Sequence, residues 1–223
     1  MLKLDHVWRV YEVGDTRVTA LHDVCLRIDD GEFIAIVGPS GSGKSTLLQI
    51  IGLLDRPTHG TVTLDGQDLR DLGDAERTRL RLHTIGFVFQ RFHLLHDLTA
   101  IENVALPMEA AGVPVEERYA RAAALLTRVG LGERLSFRPP QLSGGQRQRV
   151  AIARALANNA RLILADEPTG ELHTEDRERV VELLRELHRA GHTIVVVTHS
   201  MEVAEPAERL VEIRDGRVKE LVK

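Results

Sequence analysis

The sequence predicts an α/β fold built on buried parallel strands, and three observations predict it. Residues 33–37, 162–165 and 193–198 are continuous runs of apolar and β-branched side chains, the pattern of strands covered on both faces. The first run, Phe33-Ile34-Ala35-Ile36-Val37, lies between Gly31 and Gly38 and passes through a glycine-rich turn into a helical segment at 45–51. Strand, glycine turn and helix together open a parallel α/β unit. Between the first two runs the chain changes character, and residues 93–156 carry apolar side chains at helical spacing, as an inserted helical subdomain would.

The remaining elements follow in order. Val7, Trp8, Val10 and Tyr11 lead into the turn residues Glu12-Val13-Gly14-Asp15, and residues 18–28 alternate loosely, which together predict an N-terminal antiparallel sheet. Asp65-Gly66 marks a tight turn and residues 86–89 a short strand. An apolar stripe over 116–129 stops at Gly130, as a helix ending on glycine does. Within it, 122–126 reads as packing. Pro139-Pro140 breaks the chain before a second helix at 146–156, with Ser143 as a cap just upstream. Arg147 and Arg149 fall on its solvated face. Thr174 is the expected cap of a helix over 175–189 that ends before Gly191. Residues 209–222, around Asp215-Gly216, read as a closing hairpin. No low-complexity tract or internal repeat interrupts this order.

Composition narrows the function classes. The 223 residues include 33 acidic and 29 basic side chains, a net charge of −4, which argues against a protein held on nucleic acid by its overall charge. Aromatics at 4% are too few for a base-stacking platform. The single cysteine, Cys25, excludes an internal disulfide framework and fits a reducing compartment. No apolar run reaches the 18 or more residues of a membrane helix, and Met1-Leu2-Lys3-Leu4-Asp5 does not open a signal peptide, so a cytoplasmic chain is expected. His93 and His96 have no cysteine or carboxylate at ligand spacing, which makes zinc improbable there.

Gly38-Pro39-Ser40-Gly41-Ser42-Gly43-Lys44-Ser45 satisfies G-x-x-x-x-G-K-[ST] at every fixed position. A triphosphate concentrates several negative charges in a small volume. Backbone N–H groups surround it only where the chain wraps tightly, and glycine permits that wrap. The following helix turns its positive end toward the same charge. Lys44 is expected at the β/γ oxygens and the Ser45 hydroxyl on Mg²⁺.

The run at 162–165 ends in Asp166 and Glu167. Ligands of open α/β sheets bind at the carboxyl ends of strands, so Asp166 is placed to complete a Mg²⁺ shell and Glu167 to polarise a water. Alone, adjacent acids after a strand are as well read as a solvated turn; the phosphate loop upstream decides the matter, because such enzymes need this aspartate. Gln90 ends its short strand and His199 follows the last buried run. Gln90 would orient water or touch the cation, and His199 would reach the γ-phosphate, although each residue type is as ordinary on a surface.

Leu142-Ser143-Gly144-Gly145-Gln146 is a second anion-binding turn: a hydroxyl, two glycines and a helix N-terminus. One nucleotide rarely needs two cradles in one chain, so this one suits a nucleotide held by another copy. Here the sequence resembles the ATP-binding cassette (ABC) ATPases. Residues 38–45 match their Walker A motif, Gln90 the Q-loop, 142–146 the signature, 162–167 Walker B and His199 the switch histidine. The longer runs, 38–48, 86–90, 98–104 and 164–170, resemble the lipoprotein-releasing and macrolide-exporting branch.

The resemblance implies a P-loop fold with a RecA-like core, an N-terminal antiparallel β subdomain and an inserted helical subdomain. The whole chain, 1–223, would be one domain, with the β subdomain and core in 1–92 and 157–223 and the signature subdomain in 93–156. It also implies Tyr11 stacked on adenine, with Gly38, Ser40, Gly41, Ser42, Gly43, Lys44, Ser45 and Thr46 around the phosphates. Ser143, Gly144, Gly145 and Gln146 would act on the nucleotide of a second copy in an ATP-dependent head-to-tail dimer. Mg²⁺ would take Ser45, Gln90 and Asp166; Glu167, His199 and Gln90 would serve hydrolysis. A membrane permease would dock near Gln90 and the helical subdomain, holding the protein on the inner face of the cell membrane. One position departs from the family: in Gly170-Glu171-Leu172-His173 the usual aspartate is His173, which replaces a fixed negative charge by a group that titrates near neutral pH. The competing class is a regulatory or DNA-associated ABC-type ATPase, but the DNA-acting members would need a long coiled coil between Walker A and the signature, and the intervening residues sustain no heptads. A regulator that binds ATP without hydrolysing it stays open because of His173.

Overall fold

The computed structural model describes residues 1–221. In chain order its elements are β1 (Leu2–Val13), β2 (Thr16–Ile28), β3 (Phe33–Val37), α1 (Lys44–Ile51), β4 (His59–Leu64), β5 (Gln67–Asp68), α2 (Asp74–Thr84), β6 (Ile85–Phe89), α3 (Ala100–Ala110), α4 (Val115–Arg128), α5 (Gly144–Ala155), β7 (Leu162–Asp166), α6 (Thr174–Arg189), β8 (Thr193–Val197), α7 (Met201–Ala204), β9 (Arg209–Arg214) and β10 (Arg217–Leu221). Short 3₁₀ turns occupy Gly132–Arg134 and Pro139–Gln141, the second where Pro139-Pro140 was expected to break the chain. The mixed α/β fold is the one the sequence predicts. The chain forms two compact units, Met1–Arg79 with the chain from Thr193 onward, and Leu80–His192.

In the first unit, β1 and β2 pair antiparallel through the turn at Gly14, in a sheet ordered β2-β1-β4-β5. Alternation drives the pairing: Leu2, Leu4, Val24, Leu26 and Ile28 are buried while Lys3, Asp5, Cys25 and Arg27 face outward. The register slips between Leu4 and Val7, where two β1 residues oppose Cys25 alone, a β-bulge that leaves His6 at φ 51°. The other strands of this unit run in the order β10-β9-β3-β8, with β3 parallel to β8 and β9. Both expected runs, β3 and β8, are buried almost throughout. The closing hairpin forms with Asp215 and Gly216 both at positive φ; the last residue of the expected segment, Val222, lies outside the described residues.

In the second unit β6 and β7 pair in parallel, and α5 packs against β6 so closely that a β-carbon on Gly86 would stand 2.3 Å from the Ala155 carbonyl oxygen. Helix α3, which no sequence signal singled out, starts on a capping box: Thr99 Oγ1 accepts from Glu102 N and Glu102 returns to Thr99 N. Buried Asn103 then ties the preceding loop by donating to the carbonyls of Leu95, Leu98 and Thr99. Helix α4 buries Ala122 and Leu126, as its stripe predicts.

Two expectations are corrected. The cap of α6 is His173, not Thr174, which already lies in the helix; the His173 backbone is extended and its carbonyl accepts from Arg177 N at 2.9 Å. Arg147 and Arg149 are not on a solvated face. The Arg147 guanidinium lies 5.0 Å from the Phe92 ring centre, and Arg149 donates to the Val129 carbonyl at 3.0 Å. A period of 3.6 places residues on a face but does not say which distant part of the chain covers that face.

Candidate functional site

In the first unit the glycine turn is anchored from below. A β-carbon on Gly43, whose φ is 106°, would meet the Ala20 carbonyl oxygen at 2.4 Å, and one on Gly38 would meet that of Ile213 at 2.1 Å. The loop therefore rests on the backbones of β2 and β9, and only glycine allows that approach. Gly216 N also donates to the Ser42 carbonyl at 2.9 Å. The upper side is open: Ser40, Gly41 and Ser45 are exposed, with Thr46 half-buried. The Lys44 ammonium donates to the carbonyls of Gly38 (2.8 Å) and Pro39 (2.7 Å), so it lies over the loop it belongs to. Ser42 Oγ is buried among these atoms with no hydrogen-bond partner in the protein, a polar group suited to an oxygen-rich ligand. Amides, an ammonium and hydroxyls fit a phosphate chain, and the Ser45 hydroxyl is a hard oxygen donor of the type Mg²⁺ takes.

Tyr11 and His199 belong to the same unit. The Tyr11 hydroxyl donates to Asp55 Oδ2 at 2.8 Å, the carboxylate that also accepts from Arg9 Nε at 2.8 Å. The Arg9 guanidinium lies 4.4 Å from the Tyr11 ring centre. One face of the ring is thus engaged, and a cavity of about 540 Å³ opens beside Arg9, Tyr11, Arg17 and His59. His199 is exposed just past β8, where Thr198 N donates to the Ile36 carbonyl on the strand that feeds the glycine turn. Asp55 is the residue sequence reasoning missed here, since it lies 44 positions from Tyr11 and no local pattern marks it.

The second unit assembles the other residues. Phe89 and Asp166 are partners in the β6–β7 ladder, so Gln90 and Glu167 leave the ends of neighbouring strands together. Glu167 sits at φ 45°, a left-handed backbone that costs about 1–3 kcal/mol at a residue other than glycine. Its carbonyl accepts from Gly170 N at 3.1 Å, and a β-carbon on Gly170 would stand 3.0 Å from Gln90 Nε2. Gln90 is therefore packed against the turn that carries Glu167.

Ser143 caps α5 with a reciprocal pair: its Oγ accepts from Gln146 N (3.2 Å) while its own N–H donates to Gln146 Oε1 (3.0 Å). Ser143 is exposed. Behind it, buried Gln148 donates from Nε2 to the Pro168 carbonyl at 2.8 Å, which joins the signature helix to the turn after Glu167. Gly144 lies against Leu172, where a β-carbon would meet Cδ2 at 3.4 Å. Sequence reasoning placed Ser143, Gly144, Gly145 and Gln146, and missed Gln148, which reads as one more polar residue of a helix.

A phosphate loop between a buried parallel strand and a helix defines a P-loop nucleotide-binding protein. The ABC transporter family matches residues 21–170. The chain is 54% identical over 218 residues to an uncharacterized ABC transporter ATP-binding protein of Thermotoga maritima, covering 98% of this chain and 93% of that one. It is also 54% identical over 218 residues to the macrolide export ATP-binding/permease protein MacB of Brucella melitensis, but spans only 34% of that longer protein. Among solved structures, the dimeric post-hydrolysis state of the ATP-binding cassette MJ0796 bound to ADP and Pi superposes with a TM-score of 0.92 at 47% identity, covering 100% of both chains. The chain belongs to the ABC transporter family, as its ATP-binding cassette. These relatives favour the transport class over the regulatory or DNA-associated one. Among the described residues no helix is long and apolar enough to cross a membrane.

Proposed function

We propose that this cassette hydrolyses ATP as a head-to-tail homodimer and drives a separate membrane permease, to which it binds on the inner face of the cell membrane. The whole chain acts as one ATPase domain, with 93–156 as its signature subdomain. Gly38 and residues 40–46 hold the phosphates, Tyr11 stacks on the base, and His199 approaches the γ-phosphate. Ser45, Asp166 and Gln90 would hold Mg²⁺, whose charge offsets that of the phosphates when bound. Glu167 polarises the attacking water and Gln90 orients it. Because phosphoryl transfer asks for placement and charge stabilisation, these side chains act chiefly by where they are held.

The observation that carries this reading is the join between Ser143 and Glu167. Ser143 stands exposed at the head of α5, and Gln148, little more than one turn along, is bonded to the segment that follows Glu167. A terminal phosphate of the second copy, held at Ser143, would therefore bear on the turn of the glutamate in the same chain. The dimeric state of MJ0796 supports the pairing, and the fused permease of MacB supports a membrane partner. A cavity of about 350 Å³ beside Arg91, Phe92, Leu94, Pro139, Arg147 and Glu171 is the proposed seat of that partner. His173, exposed at the start of α6, bears on the communication between the two sites more than on nucleotide binding.

Glu167→Gln tests the reading. The variant is expected to bind ATP as the parent does, lose most hydrolysis and elute as a dimer from gel filtration in Mg-ATP. A variant that stays monomeric and turns over at the parental rate would remove Glu167 from this role. Ser143→Arg is expected to abolish turnover while the monomer keeps its ATP affinity; loss of monomer binding would mean that the serine acts within its own chain.

A further inference from the structure

The segment after Gln90 adopts a conformation that its side chains disfavour. Phe92 and His93 are consecutive residues at φ 60° and 48°, in the left-handed region that non-glycine residues rarely enter. His93 N donates to the Arg91 carbonyl at 2.6 Å, which makes Phe92 the centre of a γ-turn of the rare, positive-φ kind. Such a turn persists only where its surroundings over-determine it.

Those surroundings are supplied by α5. Arg154, in the last turn of that helix, donates from Nη2 to the Phe92 carbonyl at 2.8 Å and from Nη1 to the His93 carbonyl. One planar guanidinium thus spans both carbonyls of the strained pair. Burial pushes its pKa down, and the two carbonyls answer part of that desolvation. Seven positions earlier on α5, Arg147 covers the Phe92 ring. On the other side, the Phe89 and His93 rings meet at 4.7 Å. Gln90 is therefore held between the β6–β7 ladder, where Phe89 pairs with Asp166, and a turn clamped by the signature helix.

We propose that Arg154 is a positioning residue for hydrolysis, holding the Phe92–His93 turn in its left-handed form so that Gln90 stays against the Glu167 turn. It touches neither nucleotide nor cation; it acts through Gln90. The proposal rests on the role given to Gln90 above. Lysine cannot replace it, because a single ammonium does not match two carbonyls in a fixed fork.

Steady-state hydrolysis by Arg154→Lys, Gln90→Ala and the double variant tests this, with nucleotide binding measured in parallel. Arg154→Lys is expected to lower kcat about tenfold, the scale on which supporting partners of a site act, with ATP affinity changed less than about twofold. It should also raise the Mg²⁺ concentration needed for half-maximal rate. In the Gln90→Ala background the same substitution should have almost no further effect. Additive losses would overturn the role of Arg154 while leaving Gln90 in place; a silent Gln90→Ala would remove Gln90 from the reaction and the proposal with it. A purely structural arginine would lower the melting temperature and the fraction of active protein without altering the Mg²⁺ requirement, and that result overturns the proposal too. His93→Gly gives a second arm, because glycine enters positive φ without penalty. Added to Arg154→Lys, it should restore part of kcat, and a further fall would overturn the idea that strain in this turn is what Arg154 holds.

Discussion

Gly145 lies so close to Asp176 that a β-carbon on the glycine would stand 2.0 Å from the Asp176 Cγ. A side chain at the second glycine of the signature would therefore have to push the Asp176 carboxyl aside. The glycine lets the head of α5 sit directly on the first turn of α6, the helix capped by His173.

Gly145→Ala is accordingly expected to destabilise the chain by about 1 kcal/mol, the low end of overpacking because the Asp176 carboxyl can swing away, and to shift the Ser143 cap. Urea unfolding monitors the first effect and ATP turnover the second. Asp176→Ala introduced together with it should recover most of the stability, since the colliding carboxyl is gone. Failure to recover would place the collision elsewhere.

Tyr11 offers a separation of ring from hydroxyl. If the free face of the ring stacks on adenine, Tyr11→Ala should weaken ATP binding about tenfold, from lost stacking and lost apolar contact. Tyr11→Phe keeps the ring and loses only the bond to Asp55, so its affinity should fall less than about threefold. Displacement of a fluorescent ATP analogue measures both. Equal losses would show that the hydroxyl, through Asp55, matters more than the ring.

The bulge pair His6 and Asp23 predicts a pH signature unconnected with turnover. Nδ1 of His6 lies 2.8 Å from Asp23 Oδ1. The hydrogen bond to Asp23, then its charge, raises the His6 pKa, and the bond to His6 lowers that of Asp23. A raised histidine contributes stability that is complete below its unfolded pKa and is lost as pH rises through the folded one. A lowered aspartate contributes stability that is present above its unfolded pKa and is lost as pH falls through the folded one. The pair therefore helps most in the mildly acidic range between these limits. Melting curves of His6→Asn, a residue that tolerates the positive φ of this position, should lie below the parent there and converge with it in mildly alkaline buffer. Both groups are exposed, so the gap should be small and should shrink with added salt.

Most of the cassette was readable in the amino-acid order because its signals are local. Continuous apolar runs mark buried strands, glycine in fixed positions marks the phosphate turn, and a serine with glutamine three residues on marks the head of α5. Helices α2 and α3 escaped notice because α2 is mostly charged, with only Arg77 buried, and α3 holds Pro107 within it. What only the tertiary structure decided is contact between distant segments: Asp55 at Tyr11, Gln148 at Pro168, Arg154 at Phe92 and His93, and the left-handed backbone of Glu167. Each depends on which surfaces are brought face to face and on strain that packing overcomes. Neither leaves a periodic trace along the chain, because the free energy that sets it is shared among residues far apart in the sequence.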